Sequence, residues 1–457
     1  MMHTSIAHVE CACAGMATWR RAPCVMLLGE ADPRPLRRLL AISATWRAVC
    51  IVALLAGAQV QQAFDTSGSL LHHTLWNDAG VHAWNRWAVP FVRWDSVYFV
   101  SVAARGASAG GYEYEQMLAF QPGIIAVLRA AGWLGLDGRW SGTAAVLGTV
   151  VLANLATMVA PLILYYFSVV HGGHTLAYRA AFLSIFAPVS STALGAPTPE
   201  PFYSFFTLAG LAALAPGKRR KTPDVGLVRL TLATLAFAAA TCFRTNGLLL
   251  AGFLVWRTAY IPALRAPVRN AQRFFVRVLL SLPFVAAMCM PHVLFQAWAY
   301  ARLCPGRPWC ASRIPNVYGF VQSHYWNVGF LRYWEALQLP NFALAAPVLI
   351  TGFVGCVAYC RRHSLRELVT LSVCPWRWSP IPADLWLLPF VVHTFVLLML
   401  LLLVSHVQIA LRFATPGGLP FLWWTYGSAR RPEVVLYALI AFNAAASVLY
   451  AGFYPPA

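Results

Sequence analysis

Leu385-Trp386-Leu387-Leu388-Pro389-Phe390-Val391-Val392-His393-Thr394-Phe395-Val396-Leu397-Leu398-Met399-Leu400-Leu401-Leu402-Leu403-Val404 holds no charged residue and no glycine. A helix of roughly 20 such residues crosses a hydrocarbon layer about 30 Å thick. Thr143 to Val170 is likewise free of charged residues and as long as a span requires. Hydrophobic residues make up 59% of the 457, charged residues only 11%, and the mean hydropathy is +0.62. A soluble domain would carry about 25% charge. The fold class is therefore all-α and polytopic, embedded in a membrane.

The remaining apolar runs predict spans over Thr45–Val60, Met117–Leu134, Thr143–Phe167, Arg179–Leu194, Glu200–Ala215, Val278–Tyr300, Phe342–Cys360 and Val434–Tyr450. Leu227 to Trp256 is interrupted by Arg244-Thr245-Asn246-Gly247. One continuous span would leave Arg244 near mid-membrane, an expensive place for a charge, so a hairpin of two short helices is expected. Pro416-Gly417-Gly418 breaks the helical pattern near the end. The count is about ten crossings. Counting forward from the first span and backward from Lys218-Arg219-Arg220-Lys221 gives opposite parities, so a re-entrant segment is expected between Met117 and Leu194.

The net charge of +19 falls in short clusters between spans: Arg34, Arg37 and Arg38; Lys218 to Lys221; Arg361, Arg362 and Arg366. These read as cytoplasmic anchors. A nucleic-acid partner would need one basic face, and none is seen. Residues 1–38 are expected as a cytoplasmic, poorly ordered leader without the order of a cleavable signal peptide. Residues 39–457 form one transmembrane domain, with long loops over about 61–116 and 302–341. Their aromatic density suits interfacial helices. Both loops fall on the non-cytoplasmic side. Most of the eleven cysteines lie in apolar runs as small hydrophobes. Cys304 and Cys310 bracket a polar loop, where a disulfide and two free thiols are equally compatible. No zinc-type Cys/His spacing occurs.

Within the first loop stands Arg93-Trp94-Asp95-Ser96-Val97-Tyr98-Phe99. Acids are scarce, 15 against 34 Lys and Arg, so a carboxylate beside membrane helices is paired, solvated or used. Several blocks resemble the family of second mannosyltransferases of glycosylphosphatidylinositol (GPI) anchor synthesis. They are Arg93 to Phe99, Glu115-Gln116-Met117-Leu118-Ala119-Phe120-Gln121-Pro122, Phe243-Arg244-Thr245-Asn246-Gly247, Val321 to Trp334, Leu339-Pro340-Asn341-Phe342, and His406 to Phe413. Of these, Tyr325-Trp326-Asn327-Val328-Gly329-Phe330 is the most specific. Pro197-Thr198-Pro199-Glu200 departs from the family pattern and keeps only its Glu, which puts a substrate role for that segment in doubt.

The resemblance implies a GT-C-type glycosyltransferase of the endoplasmic reticulum membrane with its active site facing the lumen. It implies dolichol-phosphate mannose as donor, a mannosyl-glucosaminyl-phosphatidylinositol intermediate as acceptor, and an α1,6-linked mannose in the product, formed with inversion. A small membrane partner subunit is compatible with it. Asp95 is then the general base, against the alternative of an interfacial salt bridge to Arg93. Glu113 and Glu115 are candidates for binding the acceptor, or solvated loop charges. Arg244 with Asn246 is the first candidate for the donor phosphate, with Arg332 and Arg412 behind it. Arg93, Gln322 and His324 are further candidates for substrate binding, although a lone His among aromatics is more often packed. Trp326 and Asn327 would stack on and bond to sugar, or belong to the interfacial belt. A lipid monophosphate donor needs less metal help than a nucleotide diphosphate, so no cofactor and no obligatory metal are expected.

Two other readings remain. Another lumenal transferase using a lipid-phosphate sugar would share the fold and base. A transporter or flippase would show ionisable residues at mid-membrane and an inverted repeat; no repeat is visible.

Overall fold

The computed structural model describes residues 34–65, 86–105, 111–112, 114–135, 139–215, 225–265, 270–377 and 384–454. Most of the expected leader, the Lys218–Lys221 cluster and Glu113 lie outside them. Seven helices among the described residues are long and apolar enough to cross a membrane.

The first, α1 (Pro35–Val60), begins ten residues earlier than the hydropathy suggests, with proline at its first turn. After it come two short helices, α2 (Asp95–Ala104) and α3 (Gly123–Gly132), of ten residues each. At about 1.5 Å per residue, neither reaches across a bilayer. The span expected over Met117–Leu134 is therefore corrected: that stretch is a 3-10 turn, Glu115–Ala119, followed by α3. One face of α2 packs into the protein, where Phe99, Val100, Val102 and Ala103 are buried.

Next, α4 (Gly142–Ser184) holds two helices meeting at Gly173, whose φ of 78° is left-handed. The chain turns back there. Tyr165 bonds to His174 at 2.9 Å, Thr157 donates to the Leu194 carbonyl at 2.9 Å, and Asn154 donates to that of Gly195 at 3.2 Å. The span expected over Arg179–Leu194 is thus helical only to Ser184, and residues 185–199 continue as irregular backbone. Irregular backbone is tolerated at membrane depth only when buried in protein and bonded. Here nearly every residue of that segment is buried. Ser190 Oγ accepts from Trp46 and the buried Arg47 of α1 and donates to the Ile185 carbonyl at 2.8 Å.

Helices α5 (Glu200–Leu214) and α6 (Leu227–Phe243) run antiparallel, with Arg229 donating to the Ala215 carbonyl at one end and Arg244 meeting Glu200 at the other. The composite span α7 (Thr245–Leu264) returns, because Arg257 donates to the Leu214 carbonyl at 3.0 Å. The hairpin expected at Arg244 is what forms. Gly247 permits it: a Cβ there would lie 2.7 Å from Thr241 Cα.

Then follow α8 (Ala271–Leu303), a loop holding the Cys304–Cys310 disulfide and α9 (Val317–Tyr325), α10 (Leu339–Cys360), α11 (Leu365–Val373) and α12 (Leu388–Leu403). Residues 404–431 go back through a broken path that includes α13 (Pro420–Gly427). The sequence marks that break at Pro416 but not the crossing it belongs to. Finally, α14 (Pro432–Ala451) ends beside α1: the Phe64 N–H bonds the Gly452 carbonyl at 2.9 Å. Arg34 before α1, Arg37 and Arg38 at its start, and Arg430 and Arg431 before α14 thus share the far, basic end.

Asn443 of α14 ties the irregular segment down. Its Nδ2 donates to the Phe186 and Ala187 carbonyls at 3.0 and 3.1 Å, and its Oδ1 accepts from the Ser191 N–H at 2.9 Å. Asn443→Leu leaves these buried groups unpaired, so a loss of at least about 2 kcal/mol is expected. Thermal unfolding of the detergent-solubilised protein measures it; an unshifted transition would mean that the segment is held by other means.

Candidate active site

Asp95 is the first residue of α2, where the helix dipole favours a carboxylate. Trp94, just before it, has φ 51° and ψ −124°, a strained conformation for a residue with a side chain. Its indole N–H donates to the Tyr454 carbonyl at 3.3 Å, and its ring leans on Phe453 at 5.6 Å. The C-terminal strap thereby holds a bent backbone that aims Asp95.

Asp95 does not pair with Arg93. Arg93 is buried and donates to the carbonyls of Val89 (2.8 Å), Val92 (3.1 Å) and Ala451 (3.4 Å), over the Phe453 ring. It braces the strap, and its expected substrate role finds no support in this geometry. The partner of Asp95 is Arg412, 2.5 Å from Oδ2. Arg412 also donates to Glu200 Oε1 at 2.7 Å, and Arg244 meets the same oxygen. The Arg244 Nε reaches Asn246 Oδ1 at 3.3 Å, and Asn246 Nδ2 donates to the Tyr203 hydroxyl at 2.7 Å. Phe413 lies under the Arg244 guanidinium at 4.4 Å.

Four segments distant in sequence thus meet in one ionic chain: Asp95, Arg412, Glu200, Arg244. Side-chain exposure is 33% at Asp95, 19% at Arg412, 14% at Arg244 and 1% at Glu200, so Asp95 is the most open member of the chain. Glu200, at the N-terminus of α5, is fixed there by the helix dipole and both arginines. Two carboxylates, Glu200 and Asp95, face the Arg412 guanidinium and offset the cost of taking its charge out of water. Arg412 stays cationic. Gly417 lets this turn approach α5: its N–H donates to Ser204 Oγ at 2.9 Å, and a Cβ would meet the Ser204 carbonyl oxygen at 2.1 Å.

A second polar group adjoins the first. Gln121 Nε2 donates to Thr245 Oγ1 at 3.0 Å and lies 3.1 Å from His292 Nδ1. Sequence reasoning missed Glu200, Tyr203, Thr245 and His292. Only Glu200 carried a signal, as one of few acids at the head of an apolar run.

Other expected residues are placed elsewhere. Glu115 is buried and accepts from Trp309 at 2.6 Å and Tyr325 at 3.0 Å, pinning the second loop to the first. It is not a free acceptor-binding acid. His324 is exposed, stacked on Phe320 at 5.0 Å. Asn327, with φ 51°, and Arg332 are exposed in a hairpin whose N–H groups at Gly329 and Leu331 bond the Val404 and Leu403 carbonyls at 3.1 and 2.7 Å. Trp334 donates to the Leu402 carbonyl at 2.7 Å. This hairpin caps the end of α12, satisfying carbonyls that a helix terminus leaves free. Gln322 contributes its carbonyl to the same turn, accepting from the Val328 N–H at 2.9 Å. Trp326 packs with its ring 5.6 Å from Phe120, and its carbonyl lies 2.7 Å from His406 Nε2.

Residues 47–433 match the family model described as Mannosyltransferase (PIG-V). The chain belongs to this family. GPI mannosyltransferase 2 of Cryptococcus neoformans (strain B-3501A) is 32% identical over 455 residues, covering 92% of this chain and 98% of that one. GPI alpha-1,6-mannosyltransferase 2 of Cricetulus griseus is 31% identical over 302 residues, 59% of this chain and 58% of the relative. Among solved structures, ArnT from Cupriavidus metallidurans bound to undecaprenyl phosphate superimposes with a TM-score of 0.46 at 14% identity, over 86% of this chain and 61% of that chain. As a PIG-V family member the protein is a mannosyltransferase embedded in a membrane, which removes the transporter reading.

Glu200 is the buried carboxylate between two half-buried arginines. Glu200→Gln leaves a guanidinium unbalanced, and a destabilisation of about 3–5 kcal/mol is expected. In a double-mutant cycle with Arg244→Gln, the pair should couple by at least about 1 kcal/mol in thermal unfolding. Strict additivity would show that the contact carries no stability.

Proposed function

We propose that this protein transfers the second, α1,6-linked mannose to the mannosyl-glucosaminyl-phosphatidylinositol intermediate of GPI-anchor synthesis, taking it from dolichol-phosphate mannose at the lumenal face of the endoplasmic reticulum membrane. The observation that carries the reading is the shared guanidinium of Arg412, which bridges an accessible carboxylate, Asp95, and a buried one, Glu200. The names of the relatives support the acceptor and the linkage. The disulfide in the loop on the site side and the basic residues at the opposite end support the sidedness.

In the reaction, Asp95 takes the proton from the acceptor hydroxyl as its oxygen bonds to the mannose anomeric carbon. The bond from that carbon to phosphate oxygen breaks on the opposite face and leaves its electron pair on dolichyl phosphate, so the anomeric configuration inverts. The ionic chain explains why the two halves run together. At rest Asp95 and Glu200 balance Arg412 and Arg244. As Asp95 becomes protonated its hold on Arg412 weakens, and that cation serves the charge growing on the leaving phosphate. Arg244, oriented by Asn246, is the second phosphate ligand.

Asp95→Asn keeps the shape and removes the base. Its transfer rate in washed microsomes is expected to fall about 10²-fold to 10⁴-fold. A normal rate would falsify the assignment of Asp95. In cells that lack the second GPI mannose, this chain should relieve the accumulated one-mannose intermediate and Asp95→Ala should not. Accumulation of a different intermediate would point to another acceptor.

A further inference from the structure

We infer that Tyr98, Phe120 and Trp326 form an aromatic platform on which the acceptor's mannose stacks, next to Asp95; this rests on the function proposed above. The three rings stand in a row, with Phe120 in the middle, 5.9 Å from Tyr98 and 5.6 Å from Trp326. Phe99 backs Phe120 edge-on at 4.9 Å, at 88°, and is itself buried. Tyr98 is 40% exposed, and Phe120 and Trp326 are half-buried, so the row is supported from behind and open in front.

Each ring sits on a segment that also holds the ionic chain. Tyr98 lies three residues after Asp95 on α2, which puts both on one helix face. Phe120 precedes Gln121, whose amide holds Thr245 beside Arg244. The backbone of Trp326 is held by His406, six residues before Arg412. Sugar rings present C–H faces to aromatic surfaces, and three rings tilted 30° and 52° to their neighbours beside a carboxylate form a shallow apolar wall for a hexose whose one hydroxyl must reach the base. The platform is assigned to the acceptor because it adjoins Asp95, which touches the acceptor hydroxyl. The arginines that would hold the donor phosphate are instead tied to the buried Glu200, with Arg412 joining them to Asp95.

Steady-state kinetics with a synthetic mannosyl-glucosaminyl-phosphatidylinositol and dolichol-phosphate mannose test the assignment. Tyr98→Ala and Trp326→Ala should each raise the acceptor KM about fivefold to tenfold while the donor KM stays nearly constant. Tyr98→Phe and Trp326→Phe keep the ring and should restore most of the affinity. On the unaltered enzyme, methyl α-mannoside should inhibit competitively against the acceptor and not against the donor. An unmoved acceptor KM, a donor KM that rises in step, Phe variants as poor as Ala, or inhibition competitive with donor each overturns the platform. A fully active Asp95→Asn enzyme would remove the base and leave these KM shifts standing, so the two claims fail separately.

Discussion

A carboxylate with almost no contact with solvent, Glu200, holds two arginines from opposite parts of the chain. Burying a charge costs several kcal/mol unless it is paired, and two guanidiniums packed together need an anion between them. That constraint reaches far. It fixes the head of α5 against the break after α6, and both against the turn that carries Arg412. Only when those three segments are docked does Arg412 reach Asp95. The geometry of the site is thus a consequence of charge balance inside the bundle.

Around that centre the bundle tolerates more irregular backbone than its hydropathy suggests. Residues 185–199 and 404–431 cross or re-enter without continuous helix. Both are allowed because they are covered by protein and bonded internally: Asn443 and Ser190 serve the first, and Ser204 and Thr415 the second. Their effect is to bring short polar segments to depths that a regular helix would fill with aliphatic side chains. The strained turn at Trp94 belongs to the same pattern, since the C-terminal strap holds a conformation the local sequence would not choose.

The block from Tyr325 to Phe330 shows that the most recognisable residues need not be the reactive ones. Most of its polar atoms close a hairpin over the end of α12. Glu115 likewise fastens one loop to the other. A conspicuous acid and much of a conspicuous motif therefore serve the frame, and Glu200, whose surrounding segment departs from the family pattern, serves the centre.

Hydrophobic run length by itself determined that the chain is a helical membrane protein. The cost of a mid-membrane charge placed the reversal at Arg244, and the order of short blocks identified the mannosyltransferase family. Asp95 stood out because acids are rare. Tertiary structure alone decided that its partner is Arg412, 317 positions away, rather than its neighbour Arg93. Ion pairing follows from which helix ends dock together, and run length says nothing about that. The failed span at Met117–Leu134 has the same root: a short apolar helix buried in protein has the composition of one crossing lipid, and only its contacts tell them apart.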